Sequence, residues 1–319
     1  MKRYPLKISY TAKTAIWAGT RLRDEFGKVS EFDTVSESWE LSVRRDEMAR
    51  VLNGEACGMT LSEYFLRVGY DCVCPGFKEG DNFPLLVKLI DAQDMLSVQV
   101  HPDDEYASLV ENDSGKTEMW YIVDATENAQ LIYGLKNGIT REDFACAVKE
   151  KRVNDVMNYV PVKKGEVYFI PSGMIHAIGA GILIAEIQQN SDLTYRIYDF
   201  DRVDKDGMPR QLHIDKALDV VRSFTPEEID AVRYSRGHGD EQLLANSEYF
   251  KVRRVCVDEH IKLVATRESF ICIVCLDGEG SIDFKGEKYP IVKGESYFIP
   301  AGMGEFDIDG RIEVILAQI

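Results

Sequence analysis

The chain has 319 residues, of which 45% are hydrophobic and 29% are charged. This length exceeds what a single hydrophobic core usually serves, so two domains are expected, and the composition excludes a disordered chain. The formal net charge of −16 disfavours nucleic acids and anionic membrane surfaces as partners, because both would repel the protein.

The predicted secondary structure is mainly β. Short runs rich in apolar residues lie between clusters of Gly, Pro, Asn and Asp, which is typical of a sandwich or barrel. The predicted strands cover residues 83–91, 96–101, 119–123, 167–170, 182–188 and 194–200. Before about Gly80, the sequence around Trp17 and Trp39 favours further strands, which are expected to pack on one or other of the two domains.

Three helices are predicted. The first begins at Thr140, where Asp143 serves the first turn and the next apolar residues have helical spacing. The second covers residues 214–221. The third begins at Thr225, where a proline and two glutamates follow in the pattern of a capping box. The last two helices join the first β region to a second, which resumes near Tyr249 and runs to the end of the chain.

One segment of the sequence, here called the repeated phrase, occurs twice in nearly the same form. Residues 164–174 read KGEVYFIPSGM, and residues 293–303 read KGESYFIPAGM. Both copies predict a turn led by glycine, then a strand, then a Pro-x-Gly turn. The first copy is followed by His176 and the second by Glu305 at the matching position. A duplicated β unit that keeps the scaffold but not the histidine predicts two related barrels, with the chemistry in the first.

Four residues of the first β region are candidate metal ligands. Strand alternation places Ser97, Gln99 and His101 on one face. Glu118 begins an apolar strand, and His176 follows the first Pro-x-Gly turn. Two imidazoles, a carboxylate and an amide oxygen suit a divalent ion such as zinc, with room for a substrate oxygen. A single such histidine is more often structural, and only the spacing of the set favours a metal site.

Three further charged residues lie within apolar strands. Glu186 lies among aliphatic residues, where burial would raise its pKa toward that of a general base, or it is a structural ion-pair partner. Lys88 either binds substrate or is a lysine that reaches out to solvent. Arg196 suits a phosphate or a developing enediolate. Together with Lys116 these cations would form a local anion site in an acidic protein, if the fold brings them together.

The motif spacing resembles that of the cupin superfamily. Gly165, Pro171, Gly173 and His176 match its second motif, whereas the first motif has Gln99 at its first histidine position. With that departure, the chain resembles the type I mannose-6-phosphate isomerases. Besides these motifs, the resemblance is carried by four segments, 37–42 (ESWELS), 84–92 (PLLVKLIDA), 99–104 (QVHPDD) and 190–196 (NSDLTYR). It extends over essentially the whole chain, whose length is similar to that of the compact bacterial members.

The resemblance implies a mainly β protein of two cupin-like jelly-roll barrels with a few connecting helices. It implies an aldose–ketose isomerase that interconverts mannose 6-phosphate and fructose 6-phosphate by proton transfer between C1 and C2 through an enediol. One zinc ion per chain is expected, in the first barrel only. The implied metal ligands are Gln99, His101, Glu118 and His176, the catalytic residues are Arg196, Glu186 and Lys116, and the substrate-binding residues are Lys88, Ser97 and Asp192.

Two departures from the family concern ring opening. Some members have a histidine just before the lysine, where this chain has Gly115, and larger members often have a tyrosine where it has Ile178. Two alternatives stay open at this point. One is a cupin dioxygenase, since two histidines and a carboxylate also hold iron(II). The other is a sugar-binding or regulatory protein of two cupin domains, stabilised by a metal but without turnover.

The remaining expectations concern organisation and surroundings. The N-terminal segment and the metal-binding barrel are expected in residues 1–235, and a barrel without metal ligands in residues 236–319. The seven cysteines lack the pattern of a disulfide framework or a zinc ribbon, and no secretory signal is evident, which favours the cytoplasm. The expected partner is a sugar phosphate, with no nucleic acid or membrane, and the expected state is a monomer or a homodimer. His213, His238 and His260 are expected to be non-catalytic, and residues 278–280 to form a hairpin turn.

Overall fold

The structure is a computed structural model that describes residues 2–44, 47–204, 206–225, 227–228 and 241–319. The strands are β1 (Leu6–Ile8), β2 (Thr11–Lys13), β3 (Glu37–Leu41), β4 (Leu85–Ala92), β5 (Val98–Val100), β6 (Glu118–Ala125), β7 (Gln130–Leu135), β8 (Met157–Pro161), β9 (Val167–Ile170), β10 (His176–Ala177), β11 (Ile182–Gln189), β12 (Tyr195–Tyr198), β13 (Glu241–Asn246), β14 (Lys251–Ala265), β15 (Ile271–Phe284), β16 (Glu287–Val292), β17 (Ser296–Ile299) and β18 (Gly304–Gln318). The α-helices are α1 (Arg21–Phe26), α2 (Leu61–Val68), α3 (Asp104–Glu111), α4 (Arg141–Lys149), α5 (Val153–Val156) and α6 (Ile214–Val220). None of the helices in these residues combines the length and apolar character that a membrane crossing requires.

The strands form three antiparallel sheets. A six-stranded sheet has the order β2-β3-β4-β11-β6-β9, and a five-stranded sheet has the order β12-β5-β10-β7-β8. A shared cluster of buried side chains, including Trp120 of the first sheet and Leu131 of the second, fills the space between them. The two sheets therefore face each other as the walls of one compartment.

Both faces of the six-stranded sheet are covered. Strands β4 and β11 are buried along their whole length, which explains why their sequences are nearly continuous apolar runs. Their outer face packs on the third sheet, in a core that includes Leu85, Ile187, Phe250 and Phe298. The five-stranded sheet is covered on its outer face by helices α4, α5 and α6, through Phe144, Val153 and Ala217 among others.

The third sheet contains the C-terminal strands and one strand from the start of the chain. Its order is β1-β17-β15-β18-β14-β13, with β16 paired to β15. The N-terminal segment thus contributes β1 to this sheet and β2 and β3 to the six-stranded sheet. Between these two sheets, Lys28 lies 2.6 Å from Glu40, which also accepts a hydrogen bond from Ser296 on β17. The division of the chain near residue 235 stays a prediction.

The predicted strands agree with β4, β5, β6, β9, β11 and β12 to within a few residues at each end. Helix α4 begins at a capping box formed by Thr140 and Asp143, as predicted, and α6 covers the second predicted helix. At the third, Thr225 and Glu228 exchange capping hydrogen bonds of 2.8 and 3.2 Å, and the helix beyond lies outside the described residues.

The hairpin turn expected at residues 278–280 is wrong. These residues lie inside β15, beside a register shift against β18 between Cys275 and Asp277. A Cβ at Gly278 would lie 2.0 Å from the carbonyl oxygen of Arg311 on that neighbouring strand. The glycine therefore permits close approach of two backbones and does not mark a turn.

Candidate active site

The candidate site lies between the two facing sheets, where strand register brings polar side chains together. On the five-stranded sheet, Gln99 pairs with His176 on one side and with Arg196 on the other. On the six-stranded sheet, β11 pairs with β4 and β6, so that Glu186 lies opposite Lys88 and Gln188 lies opposite Glu118. Residues far apart in the sequence therefore meet in one compartment.

The centre of this compartment is a buried cluster of His101, Glu118 and His176. The Nε2 atoms of the two histidines are 3.1 Å apart. Glu118 Oε2 lies 3.4 Å from His101 Nε2, and Glu118 Oε1 lies 3.3 Å from His176 Nε2. All three side chains are at most 1% exposed. Among the described residues, this is the one group of three His, Cys, Asp or Glu side chains placed closely enough to hold a metal ion.

The hydrogen bonds of the two imidazoles fix the atoms that face one another. His101 Nδ1 lies 2.8 Å from the carbonyl oxygen of Leu193, and His176 Nδ1 lies 2.8 Å from that of Met174. A carbonyl oxygen only accepts, so each Nδ1 carries the proton and each Nε2 presents a lone pair. Hydrogen bonds of this kind, from the ring nitrogen that does not face the metal, orient histidine ligands of metals.

The carboxylate of Glu118 lacks the partners that its burial requires. Neither oxygen makes a hydrogen bond within the described part of the chain, although Lys116 Nζ lies 3.1 Å from Oε2 as an ion pair. A carboxylate and two nitrogen lone pairs that face each other in a dry interior repel unless a cation lies between them. The donor set therefore fits a divalent metal ion.

The electrostatics of the cluster favour the protonation states of metal ligands. Burial lowers the pKa of His101 to about 3 and lowers that of His176, so both imidazoles are neutral. Burial opposes ionisation of Glu118, but Lys116 and the two histidines outweigh it and hold the pKa of this carboxyl well below its usual value. Metal ligands must be deprotonated, and these three already are.

Gln99 lies at the edge of the cluster. Its side-chain Nε2 is 3.3 Å from His176 Nε2. A half-turn of the amide exchanges its nitrogen and oxygen, so the oxygen can face the same point as the other donors. The structure thus brings together all four residues that the sequence predicts as metal ligands.

A second charged group lies beside the cluster. Lys88 Nζ is 3.3 Å from Glu186 Oε1 and 3.6 Å from Glu37 Oε2. The indole nitrogen of Trp120 donates to Glu186 Oε2 at 2.9 Å. Burial, and then the charge of Glu118, raise the pKa of Glu186 despite Lys88. Burial opposes the charge of Lys88, but Glu186 and Glu37 outweigh it and raise the pKa of this lysine.

A cavity of about 280 Å³ lies beside the cluster. Its lining includes every other residue that the sequence predicts for the site, namely Lys88, Ser97, Gln99, Lys116, Glu186, Asp192 and Arg196. Glu37, Trp17 and Arg210 also line it, and the sequence did not single them out as functional. Glu37 begins a segment that carries the family resemblance, but Arg210 follows a polar loop that offers no periodic signal.

Arg196 lines the cavity. Its Nε donates to Ser97 Oγ at 3.1 Å, and its Nη1 donates to the carbonyl oxygen of Gln211 at 2.9 Å. Within the described residues no carboxylate comes within ion-pairing distance of this guanidinium. Burial, and then the nearby charge of Arg210, lower the pKa of Arg196. An arginine left without a carboxylate in so acidic a protein is suited to an anionic ligand.

The two departures from the family also lie at the site. Ile178 lines the cavity, where it presents an apolar wall. Gly115 precedes the site lysine, and a Cβ there would lie 2.4 Å from backbone atoms of both Asp103 and Asp104. Helix α3, which begins at Asp104, therefore leaves no room for any side chain at this position, and this excludes a histidine.

The second copy of the repeated phrase has no comparable cluster among the described residues. Glu305, at the position of His176, is exposed and lies 3.0 Å from Lys262. His260 is also exposed and pairs with Asp309 at 2.8 Å. His213 contacts the backbone of Arg196, whose N–H donates to His213 Nδ1 at 3.2 Å, and His238 lies outside the described residues.

Comparisons with known proteins agree with these features. A family model for the catalytic domain of type I phosphomannose isomerase matches residues 6–125, and one for the cupin domain of mannose-6-phosphate isomerase matches residues 240–319. The chain is 37% identical to the mannose-6-phosphate isomerase ManA of Bacillus subtilis (strain 168), over 100% of both chains. It is 35% identical to the mannose-6-phosphate isomerase of Streptococcus mutans, over 98% of both.

A solved structure extends the likeness to the fold. The crystal structure of the mannose 6-phosphate isomerase from Bacillus subtilis matches with a TM-score of 0.87 and 34% identity, and the match covers 99% of both chains. The prediction of a mainly β cupin fold is confirmed. By its sequence over its full length and by its fold, the chain belongs to the type I mannose-6-phosphate isomerase family.

Proposed function

We propose that this protein interconverts mannose 6-phosphate and fructose 6-phosphate with the help of one zinc ion. The observation that carries the proposal is the buried carboxylate of Glu118, which faces two imidazole lone pairs and lies beside Lys116, one of four cationic residues that line the cavity. Gln99, His101, Glu118 and His176 would hold the ion. When bound, it would act as a Lewis acid on the sugar oxygens at C1 and C2.

Glu186 is the proposed group for proton transfer between C1 and C2. Trp120 holds its Oε2, whereas Oε1 makes no hydrogen bond in the described residues and has only the ion pair with Lys88. Burial raises the pKa of this carboxyl toward the range in which a general base both takes and returns a proton. The charge of Lys88 stabilises the ionised form of Glu186, and the ion pair fixes the position of the carboxylate.

Lys116 and Arg196 complete the proposed catalytic set. Lys116 lies 3.1 Å from Glu118, so its ammonium group faces the reacting end of the cavity and can stabilise negative charge that develops on a sugar oxygen. Arg196 and Ser97, which are hydrogen bonded to each other, also line the cavity and are proposed to bind the phosphate. Asp192 lines the same cavity and offers an acceptor for a sugar hydroxyl.

The proposed setting is a reducing cytoplasm. None of the seven cysteines forms a disulfide, and Cys72, Cys272 and Cys275 are buried. Burial raises the pKa of Cys275 to about 12, which keeps this thiol protonated and unreactive. The exposed thiols of Cys57 and Cys146 would oxidise in a secreted protein.

The test is to incubate the zinc-loaded protein with mannose 6-phosphate and to follow both fructose 6-phosphate and dioxygen. Formation of fructose 6-phosphate without consumption of dioxygen is the expected result. Consumption of dioxygen with iron in place of zinc would support a cupin dioxygenase, which shares the His-His-Glu donor set. Binding of the sugar phosphate without any product would support a sugar-binding protein.

A further inference from the structure

Arg210 lies in the wall of the active-site cavity but belongs to a loop far from the cupin motifs. This loop is fixed against Arg196. The carbonyl oxygen of Gln211 accepts from Arg196 Nη1 at 2.9 Å, and His213 N–H donates to the carbonyl oxygen of Arg196 at 2.8 Å. The two arginines are therefore held near each other in the wall of the cavity.

The guanidinium of Arg210 is held in one orientation by Asp199. Nε of Arg210 donates to Asp199 Oδ2 at 2.7 Å, and Nη2 donates to Oδ1 at 2.5 Å. This bidentate contact leaves Nη1 of Arg210 without a hydrogen bond in the described part of the chain. Asp199 is 5% exposed and also accepts from Arg202 Nη2 at 2.7 Å. Arg202 does not line the cavity, and its Nη1 donates to the carbonyl oxygen of Met95.

The charges near these two arginines match a phosphate group. Arg210 shares the carboxylate of Asp199 with Arg202, and Arg196, which lines the cavity beside Arg210, pairs with no carboxylate among the described residues, so positive charge stays uncompensated in this part of the cavity wall. A phosphate monoester carries about −1.5 to −2 charges near pH 7. A neutral sugar would leave this excess charge buried without a partner, which is unfavourable.

The position also matches the length of the substrate. Ser97, which accepts from Arg196, precedes Gln99 by two residues on the same face of the strand, a separation of about 6.8 Å. In a hexose 6-phosphate the phosphate lies at the opposite end from C1 and C2. With C1 and C2 at the metal ligands, the phosphate would lie near Ser97, Arg196 and Arg210.

From these observations we infer that Arg210 is a phosphate-binding residue of this enzyme and that Asp199 is the positioning residue that turns its guanidinium toward the cavity. The inference rests on the proposed function for the identity of the sugar. Arg210 would then contribute to the preference for phosphorylated over free sugars, because its charge and its free Nη1 have no use when the phosphate is absent.

The experiment compares Arg210→Gln with Arg202→Gln. Both substitutions remove one guanidinium from Asp199, but only the first removes a group that lines the cavity. Binding of inorganic phosphate to the zinc-loaded protein is measured by calorimetry without sugar, and the Michaelis constant and turnover number are measured with mannose 6-phosphate and with mannose. Metal content and melting temperature are recorded for each variant.

Arg210→Gln should weaken phosphate binding about 10- to 100-fold, the usual effect of losing a charge-assisted contact. It should raise the Michaelis constant for mannose 6-phosphate in the same range, lower the turnover number less, and reduce the preference for mannose 6-phosphate over mannose. Arg202→Gln should change phosphate binding by less than about 3-fold. Arg210→Lys should restore part of the affinity, because it keeps the charge but not the bidentate contact with Asp199.

Equal losses in Arg210→Gln and Arg202→Gln, or normal phosphate binding in Arg210→Gln, would overturn the inference and leave Arg210 a structural partner of Asp199. If Arg210→Gln does not fold, Arg210→Lys against Arg202→Lys gives the same comparison. Because calorimetry with phosphate needs no turnover, the assignment of Arg210 can hold or fail independently of the isomerase activity.

Discussion

At the scale of single residues, His176 and Glu305 form a natural pair for testing the metal site. They occupy matching positions after the two copies of the repeated phrase, yet His176 is buried beside Glu118 and Glu305 is exposed beside Lys262. His176→Ala should lose most of the bound metal and the activity, because few neighbouring groups can replace a buried imidazole ligand. Elemental analysis of the purified variants measures this directly.

Glu305→Ala is the matched control, and it should keep one ion per chain and normal activity. A wild-type protein with two ions per chain, one of which disappears in Glu305→Ala, would show that the second copy also binds metal. A His176→Ala variant with full metal content and full activity would remove this histidine from the site.

Glu186 can be tested as a base against Glu37, the other carboxylate near Lys88. Glu186→Gln keeps the shape but cannot take up a proton as a carboxylate does. Its turnover should fall about 10²- to 10⁴-fold while metal content and substrate affinity are kept. Glu37→Gln leaves the Glu186–Lys88 pair intact and should have a much smaller effect on turnover.

Metal content, melting temperature and turnover should be measured on the same preparations. If Glu186→Gln is destabilised but nearly fully active per folded molecule, Glu186 serves only as the ion-pair partner of Lys88, since an unpaired buried charge mainly costs stability. Proton transfer would then belong to another group, and Lys116 becomes the next candidate.

The residues of the site could be predicted from the sequence to different degrees. Alternation along one strand was enough to place Ser97, Gln99 and His101 on one face, because it depends only on the two-residue period of a strand. The pairing of Glu186 with Lys88 depends on the register between β4 and β11, which no single strand contains. The role of Asp199 and Arg210 depends on a loop, where no periodicity exists.

At the scale of secondary structure, the apolar runs predicted the strands of the first β region because those strands are buried on one or both faces. The long strands β14, β15 and β18 are harder to predict from the sequence, because parts of them are exposed and carry charged residues. Strands β15 and β18 also contain glycines. Two glycines close together, Gly278 and Gly280, are typical of a turn, and the sequence therefore predicted a turn there. In the structure they lie where β15 and β18 approach closely, a condition that only the neighbouring strand reveals.

Gly115 connects helix α3 to the strand that begins at Glu118, and its lack of a side chain is a structural requirement. A Cβ there would lie 2.4 Å from backbone atoms of Asp103 and Asp104, at the start of the helix. Gly115→Ala should therefore lower the free energy of unfolding by about 1–3 kcal/mol, as other overpacked substitutions do. It should also reduce activity, because it displaces the neighbouring Lys116.

Urea unfolding and turnover of Gly115→Ala measure both effects, and Ser114→Ala is the control. Ser114 already carries a Cβ, and its side chain only accepts a 3.4 Å hydrogen bond from Asn82, so its replacement should be nearly neutral. A Gly115→Ala variant as stable and active as the wild type would mean that α3 moves aside readily, and a histidine at this position would then be possible.

At the scale of the whole molecule, the three sheets explain why the N-terminal stretch could not be placed from its sequence. Strand β1 has three residues and pairs with β17, almost 300 positions later, whereas β2 pairs with β3 and β3 pairs with β4. Short strands with distant partners give no local signal of where they belong. In the structure, the N-terminal segment is held by a buried contact in which Glu40 pairs with Lys28 and accepts a hydrogen bond from Ser296 of β17.

Burial of the site should make the metal-free protein sensitive to acid. The pKa of His101 is lowered to about 3 and that of His176 is lowered as well, so the folded state stays unprotonated where the unfolded chain takes up protons, below about pH 6.5. An imidazole that stays unprotonated in the folded state lowers the free energy of unfolding by up to about 1.4 kcal/mol per pH unit as the pH falls and the unfolded chain takes up its proton.

Glu186 acts in the opposite direction. Its pKa is raised in the folded state, so its contribution to stability is present at low pH and is lost as the pH rises through the raised value. Two imidazoles against one carboxyl still predict a net loss of stability as the pH falls from about 6.5 to about 5. Urea unfolding of the metal-free protein across this range measures the slope, and a constant or increasing stability would contradict it.

We propose that the isomerase activity of this protein depends on one metal ion, held by the buried His-His-Glu cluster with Gln99. The most direct test is to strip the protein of metal, add zinc in small steps, and measure the conversion of mannose 6-phosphate to fructose 6-phosphate at each step. We predict no conversion without metal and a linear rise that levels off at one zinc per chain. Full conversion by the stripped protein, or no conversion after one equivalent has bound, would contradict the claim.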